Sequence, residues 1–423
     1  MDVKGRESKQ NKKPPQQLFS IAALQMTTNK RYGFTASKTL QLAQELYEAK
    51  FISYPRTEAN YLDENPETKE LVKRILKSLG REDLIDTVDR VGKRVFDSSK
   101  LTDHYAIIPM KEYDGSLGED HKKVFELIKN RFIAVFMPPY EYETTKVLLD
   151  IKGHTFIATG KVEKALGWRA LDRDDDEKDE ETTSLPELKE NDVVKKLKEN
   201  LIEDKTKPPA RYTESAILAE MKRLNLGTGA TRAGIIQTLK ERFYVKLEKK
   251  ALVPTDKGVA LIERVRDREF ASPEMTSEWE EKLEKIYTER KHKRGYEEFV
   301  NAIKSFVIKE IEAMKNTGEL SYDKEFAKCP KCGGSIEERP KNYTCKDCGL
   351  TVWKEVFGKK LKEKEVRDLL EGKVVQGEGL KSQSGKTFSA GLKLNSESGK
   401  VELVFKDREP LGKCQCGGNI LES

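Results

Sequence analysis

Lys50-Phe51-Ile52-Ser53-Tyr54-Pro55-Arg56-Thr57-Glu58 is the stretch whose reading decides the fold. Pro55 has no N–H and pushes Tyr54 into extended geometry. In an extended chain residues i and i+2 point to one face. Tyr54 and Arg56 are therefore expected on the same side, with Thr57 beside them. A phenol can attack a phosphodiester, and a guanidinium offers fork-shaped donors to phosphate oxygens. A phenol ionises near pH ~10, so it is a weak nucleophile unless neighbouring positive charge favours phenolate. From these three residues alone, a tyrosine-proline-arginine run in a surface loop reads at least as well.

Working outward, Thr35 reads as an N-cap, and Leu40, Ala43, Leu46 and Tyr47 follow at helical spacing. That helix delivers the chain to Tyr54. Residues 1–18 are polar and basic and read as a loop or the end of an extended element. Residues 66–100 read as one or two helices with an N-cap before Glu67. Val124 to Met137 is amphipathic and ends at Pro138-Pro139. Tyr142 to Asp150 and His154 to Lys161 alternate like strands about a Lys152-Gly153 turn. The acidic run 172–181 contains Asp172, Asp174 and Asp176. No apolar strand precedes it and its complexity is low, so a solvated loop is expected rather than a metal site.

Further along, Thr213 reads as an N-cap, with Ile217, Met221 and Leu224 on one helix face. The turn Asn225-Leu226-Gly227-Thr228-Gly229-Ala230 follows. A second helix from near Thr231 buries Ile235, Ile236 and Leu239, and a hairpin through Tyr244–Pro254 completes a winged-helix-like order. A glycine turn at a helix start favours phosphate. An ordinary surface helix pair is the plainer alternative. Ser272 to Thr276 caps a helix through Trp279, Leu283 and Ile286, and Tyr296 to Met314 forms another with Val300, Ile303, Val307, Ile311 and Met314 on one side.

Cys329-Pro330-Lys331-Cys332 and Cys345-Lys346-Asp347-Cys348 are two Cys-x-x-Cys knuckles. Four thiolates so spaced match a closed tetrahedral zinc site, structural because no ligand position stays open. Tyr343, Lys341 and Trp353 either stack on single-stranded bases or pack against the ribbon. Residues 354–410 read as a small appended domain. Cys414-Gln415-Cys416 resembles half of another ribbon and is expected to bind no zinc by itself.

The bulk numbers bound the reading. The 423 residues suffice for two to four domains. Charged and apolar residues each make up 36%, and the net charge is +6. Such a mildly basic balance is compatible with nucleic acid. No apolar run approaches the ~20 residues of a membrane span, and Met1 to Arg6 lacks a signal-peptide core. Six cysteines, four in one ordered cluster, fit a reducing cytoplasm and a metal better than disulfides.

Ile52 to Thr57, following Thr39 to Glu48, resembles the active-site segment of type IA DNA topoisomerases. Pro14-Pro15, Leu24-Gln25 and Tyr32 to Ala36 resemble that family's approach to its tyrosine. His104-Tyr105-Ala106-Ile107-Ile108-Pro109 matches a second family motif. Pro208-Pro209-Ala210-Arg211-Tyr212-Thr213-Glu214 and Gly227 to Ile236 resemble its DNA-gripping segment. Gly229 stands where relatives often carry proline, a departure expected to matter little because glycine also suits a tight turn. Gly379 to Phe388 and the strands through Phe405 resemble the C-terminal repeat of bacterial topoisomerase III-like members.

The resemblance implies a multidomain α+β fold. Residues 1–18 end an arch or N-terminal portion, and 19–140 form a helical tyrosine domain. Residues 141–204 form a β-rich arch segment with the acidic loop, and 205–320 a winged-helix-like DNA-gripping domain. A zinc ribbon (321–353), a repeat (354–410) and an incomplete second ribbon (411–423) follow. The implied activity is ATP-independent: Tyr54 attacks a single-strand phosphodiester and holds the 5′ phosphate, another strand passes, and the 3′ hydroxyl reverses the reaction. Arg56 would stabilise charge on the phosphate, His104 would donate to it or move a proton, and Arg211, Thr231, Arg232 and Arg242 would grip the backbone. His121, His154 and His292 match no motif and are expected to be structural. The family's Toprim domain would supply magnesium ligands, which these residues lack. A fragment or split enzyme is therefore expected, with DNA and a separate Toprim-containing chain as partners at the nucleoid. The rivals are a non-catalytic single-stranded-DNA-binding remnant and an accessory zinc-ribbon protein.

Overall fold

The computed structural model describes residues 2–101, 103–172, 184–288, 292–315, 326–382, 385–405, 412–413 and 419–420. Contacts divide the chain into two compact units. One holds residues 1–238, 247–253 and 272–303; the other holds 239–246, 254–271 and 304–423.

The first unit opens with β1 (Asp2–Lys13), then α1 (Ile21–Tyr32), α2 (Ala36–Glu48), α3 (Pro66–Ser78) and α4 (Glu119–Ala134). Each start has a local cause. Thr35 is extended and its hydroxyl accepts from Lys38 N, capping α2 as expected. Asn65 caps α3 by accepting from Thr68 N at 2.7 Å, with Pro66 at the first helical position. Glu119 and Asp120 complement the dipole at the start of α4. Two apolar clusters hold these helices. Val72, Ile75 and Leu76 of α3 pack with Leu62, Phe96, Ile108, Phe132 and Phe136. Leu24, Leu46, Phe51, Ile52, Phe125 and Ile128 form the second. Each such buried side chain contributes roughly 1.5–3 kcal/mol, so the Tyr54 stretch is anchored by Phe51 and Ile52.

β1 pairs antiparallel with β2 (Tyr140–Ile151), from Asp2 opposite Asp150 to Lys13 opposite Tyr140. β2 pairs with β3 (His154–Ala165) through the expected Lys152-Gly153 turn. The polar N-terminal residues are thus a full strand of twelve residues. Of the two readings the sequence left open, the extended one holds; polarity did not decide between them because most of the strand's side chains are exposed. At the foot of the sheet, Trp168 Nε1 donates to Lys13 O at 2.8 Å and its N–H to Pro138 O at 3.0 Å. Gly167 has φ +49°, and a Cβ there would lie 2.3 Å from Pro139 O. Glycine is required by conformation and by space.

The expectation of a solvated acidic loop fails at its first residue. Asp172 is 1% exposed and pairs with Arg131 of α4, while Arg31 of α1 reaches it at 3.4 Å. A carboxylate buried between two guanidiniums is a structural tie. Residues 173–183, with Asp174 and Asp176, lie outside the described residues.

α5 (Glu214–Arg223) and α6 (Arg232–Glu241) follow, then the short strands β4 (Val245–Glu248) and β5 (Ala251–Pro254), α7 (Asp256–Val265), α8 (Pro273–Thr288) and α9 (His292–Lys315). Thr213 caps α5, accepting from Ala216 N at 3.1 Å. The helix, glycine turn, helix and strand-pair order matches the expectation. Leu218, Met221, Ala233 and Ile236 pack with Ala36, and the buried Glu214 accepts from Ala36 N at 2.9 Å. Trp279 meets Phe299 edge-on at 6.1 Å.

The second unit contains the cysteine ribbon: β6 (Ala327–Lys328), β7 (Ser335–Glu338), β8 (Asn342–Cys345) and β9 (Thr351–Trp353), an antiparallel sheet in that order. β10 (Glu355–Val356) and β11 (Lys359–Lys360) form a hairpin, and α10 (Glu363–Leu370) precedes the sheet β12 (Val375–Lys381), β13 (Thr387–Leu394) and β14 (Val401–Val404). Ribbon and repeat share one core: Phe326, Ile336, Leu350 and Val352 pack in the same cluster as Leu369, Leu380 and Leu392. Cys414 and Cys416 lie outside the described residues.

Candidate active site

Residues 53–59 lie outside helix and strand, with bends at Ser53, Pro55 and Arg56, and their burial alternates. Ser53, Pro55, Thr57 and Ala59 are buried; Tyr54 is half-buried, and Arg56 and Glu58 are exposed. Tyr54 and Arg56 therefore share the open face, as the spacing predicts. Thr57 does not join them, because it is the intervening inward residue. Its hydroxyl donates to His104 O at 3.3 Å and accepts from Ala59 N at 3.1 Å.

The His104 segment lies against this run. Ser53 N donates to Ile108 O, and the Ser53 hydroxyl donates to Ala106 O at 3.0 Å and accepts from Ile108 N at 2.9 Å. Met110 N donates to Phe51 O, and Ile21 N, at the start of α1, donates to Thr57 O. These backbone bonds fix the Tyr54 ring between two neighbours. Tyr47 meets it edge-on at 5.4 Å and 80°, and His104 at 4.4 Å and 46°. His104 is exposed. An accessible phenol with an imidazole in contact can give a proton to, or take one from, a reacting oxygen.

Arg232 sits differently from expectation. It is buried, with Nη1 donating to Glu58 Oε1 at 2.6 Å, Nε to Leu226 O at 2.9 Å and Nη2 to Gly227 O at 2.8 Å. Glu58 was missed in the sequence; its signal was the i+4 position on the face shared by Tyr54 and Arg56. Gly229 is likewise more constrained than a tight turn demands. A Cβ there would lie 2.7 Å from both Glu58 Oε1 and Ile21 Cγ2, so close packing is what calls for glycine. Thr231 is exposed, and its hydroxyl accepts from Thr228 N at 2.8 Å at the start of α6. Arg211 and Arg242 are exposed. Of the other histidines, His121 pairs with Glu45 at 2.5 Å and His154 is exposed at the β2–β3 turn.

In the second unit, the sulfurs of Cys329, Cys332, Cys345 and Cys348 all lie within 4.8 Å of one another. Cys329 and Cys345 are buried and the other two exposed. Burial raises the Cys345 thiol, but backbone N–H groups of Cys348 and Asp347, together with the Cys332 and Cys348 side chains, bring it down to about 7. Burial holds Cys329 up, and the Cys348 and Cys345 side chains push Cys332 up to about 12. Four cysteine sulfurs gathered this closely are the donor set of a closed tetrahedral zinc site, so the residues fit zinc. Among the described residues no other group of three or more His, Cys, Asp or Glu donors is close enough to hold a metal. Of the ribbon's expected base-stacking residues, Tyr343 is buried against Phe326 at 4.2 Å, which leaves it packing; Trp353 is exposed.

Residues 1–300 match the family model for DNA topoisomerase, and residues 347–406 match the model for the C-terminal repeat of topoisomerase. The chain belongs to the type IA DNA topoisomerase family. It is 35% identical over 351 residues to DNA topoisomerase 3 of Bacillus licheniformis, covering 75% of this chain and 47% of that one. To DNA topoisomerase 1 of Pyrococcus horikoshii it is 34% identical over 363 residues, covering 79% and 51%. Full-length topoisomerase I of Thermotoga maritima superposes with a TM-score of 0.56 at 26% identity, over 86% of this chain and 61% of that one. The chain spans about half the length of the curated relatives it matches. Among the described residues no helix is long and apolar enough to cross a membrane.

Proposed function

We propose that the protein cleaves and rejoins single-stranded DNA through a 5′-phosphotyrosyl link on Tyr54, and so changes DNA topology. The observation that carries this reading is the Tyr54 ring held on an open face in contact with His104, 4.4 Å between centroids. The Tyr54 oxygen forms a bond to phosphorus as the bond from phosphorus to the 3′ oxygen breaks. The phenol's proton leaves and a proton reaches the departing 3′ oxygen; His104 assists this transfer. Arg56 stabilises charge on the phosphate oxygens. Rejoining is the reverse, so no nucleotide is consumed.

Arg211, Thr231 and Arg242 hold the DNA backbone in this reading. Arg232, with its donors engaged, orders the turn before α6 instead of gripping phosphate directly. The four cysteines hold structural zinc. Magnesium, where the reaction uses it, is held by acids from polypeptide outside these residues, either continuous with the chain or a separate Toprim-containing subunit. The site of action is the nucleoid in the cytoplasm.

The test is an end-labelled single-stranded oligonucleotide with the chain, magnesium and zinc on a denaturing gel, with and without a Toprim domain from a relative. A covalent adduct lost in Tyr54→Phe supports the reading. Oligonucleotide binding with no adduct in either lane would instead leave a non-catalytic single-strand binder.

A further inference from the structure

Glu58 and Arg232 are 174 residues apart in sequence and join two pieces of the proposed site. Glu58 is the second residue after Arg56 on the open face of the Tyr54 run. Arg232 spends its other donors on Leu226 O and Gly227 O, the carbonyls that open the turn before α6. Gly229 of that turn closes on the same Glu58 carboxylate and on Ile21, whose N–H is bonded to Thr57 O. The turn is thus seated on the Thr57–Glu58 junction by an ion pair, by two carbonyl bonds and by contact too close for a Cβ. The Arg232 side chain is 7% exposed and that of Glu58 40%. A guanidinium buried to that degree is expensive to leave unpaired, so the seat is held firmly.

We propose that Glu58 is a positioning residue. Through Arg232 it sets the backbone-gripping turn at a fixed station beside Tyr54, so that DNA held by the turn presents one phosphate to the phenol. This rests on the strand-cleavage reading and deepens it. Binding at the turn and placement at Tyr54 are separable: a loosened seat keeps the first and loses the second. A misplacement of about 1 Å can cost on the order of a hundredfold in reactivity.

The test uses the full chain and a single-stranded oligonucleotide carrying 4-thiothymidine, with affinity read by fluorescence anisotropy and photo-crosslinks mapped to peptides. Glu58→Gln keeps size and drops charge. Gly229→Ala keeps both charges and drives a methyl against Glu58. In Glu58→Gln affinity should change less than about threefold, and in both variants crosslinking to the Tyr54 peptide relative to the 226–242 region should fall about tenfold. An unchanged ratio in both, or a loss of both crosslinks in proportion to affinity, would overturn the proposal and leave the cleavage reading standing. A wild-type chain that crosslinks at the turn and not at Tyr54 would overturn the cleavage reading itself, and this inference with it.

Discussion

Tyr54 and His104 lie fifty residues apart in sequence, yet their rings meet at 4.4 Å, inclined at 46°. Three hydrogen bonds between Ser53 and residues 106–108, together with Thr57 Oγ1 to His104 O, align the two segments that carry them. The imidazole is exposed, so removing it disturbs little packing. His104→Ala should slow single-turnover adduct formation by about 10²-fold or more. Its melting temperature should stay close to wild type, because the lost ring contact is worth ~1 kcal/mol. Rapid-quench gels beside a thermal melt check both. An adduct rate within twofold of wild type would assign His104 to packing alone.

A second expectation concerns metal removal. Ribbon and repeat share a core in which Ile336 and Val352 pack in one cluster with Leu369 and Leu380. Structural zinc contributes on the order of 10 kcal/mol or more in small sites, and its loss leaves the cysteine cluster to open. Chelation should therefore raise amide exchange across residues 326–394 as one cooperative block, as should Cys345→Ser. Protection retained in β12 to β14 while residues 329–348 exchange freely would mean that the repeat folds alone.

Helix starts at Thr35, near Glu67 and at Thr213 were legible because an N-cap is a local chemical event written in adjacent residues. The burial alternation that leaves Tyr54 and Arg56 accessible has the two-residue period expected, although the chain bends at Pro55 and Arg56. The cysteine knuckles were legible because metal geometry fixes their spacing. β1 was legible only as one of two alternatives, loop or extended element, since its polar side chains carry no apolar alternation and its pairing with β2 crosses more than a hundred residues. Asp172 was misread for a similar reason. Composition marked its run as solvated, while its partners Arg131 and Arg31 come from distant helices. Arg232 looked like a phosphate grip because the fork that would hold phosphate serves a carboxylate and two carbonyls equally well. Long-range partnerships decide such cases, and no local pattern records them.

Asp172 offers a direct check on that correction. Its side chain is 1% exposed and that of Arg131 7%. Arg131 also donates to Gln17 O at 3.2 Å and stacks over Phe19 at 4.1 Å. Asp172→Ala leaves that guanidinium without its carboxylate, a change that typically costs ~3–5 kcal/mol. Urea unfolding should show a matching fall in midpoint. A fall below ~1 kcal/mol would return Asp172 to a solvated loop.

The sheet supplies a prediction on the alkaline side. Burial first, and then the hydrogen bond to Glu163 at 2.8 Å, raise the Tyr140 phenol to about 12. Arg169, 4.3 Å over the ring, opposes the shift without cancelling it. An unfolded tyrosine ionises near ~10. Between pH ~10 and about 12 the unfolded chain releases this proton and the folded chain keeps it, so stability falls as pH rises. Below pH ~10 the contribution is fully present. Tyr140→Phe removes the titrating group, so its stability should fall less steeply than that of wild type across that window, by a few kcal/mol at most. Below the window the variant should be the less stable of the two, by the ~1 kcal/mol of one hydrogen bond. Denaturant midpoints at pH 8, 10 and 11.5 measure both differences. Parallel curves for the two proteins would mean that Tyr140 ionises in the folded state as readily as in the unfolded one.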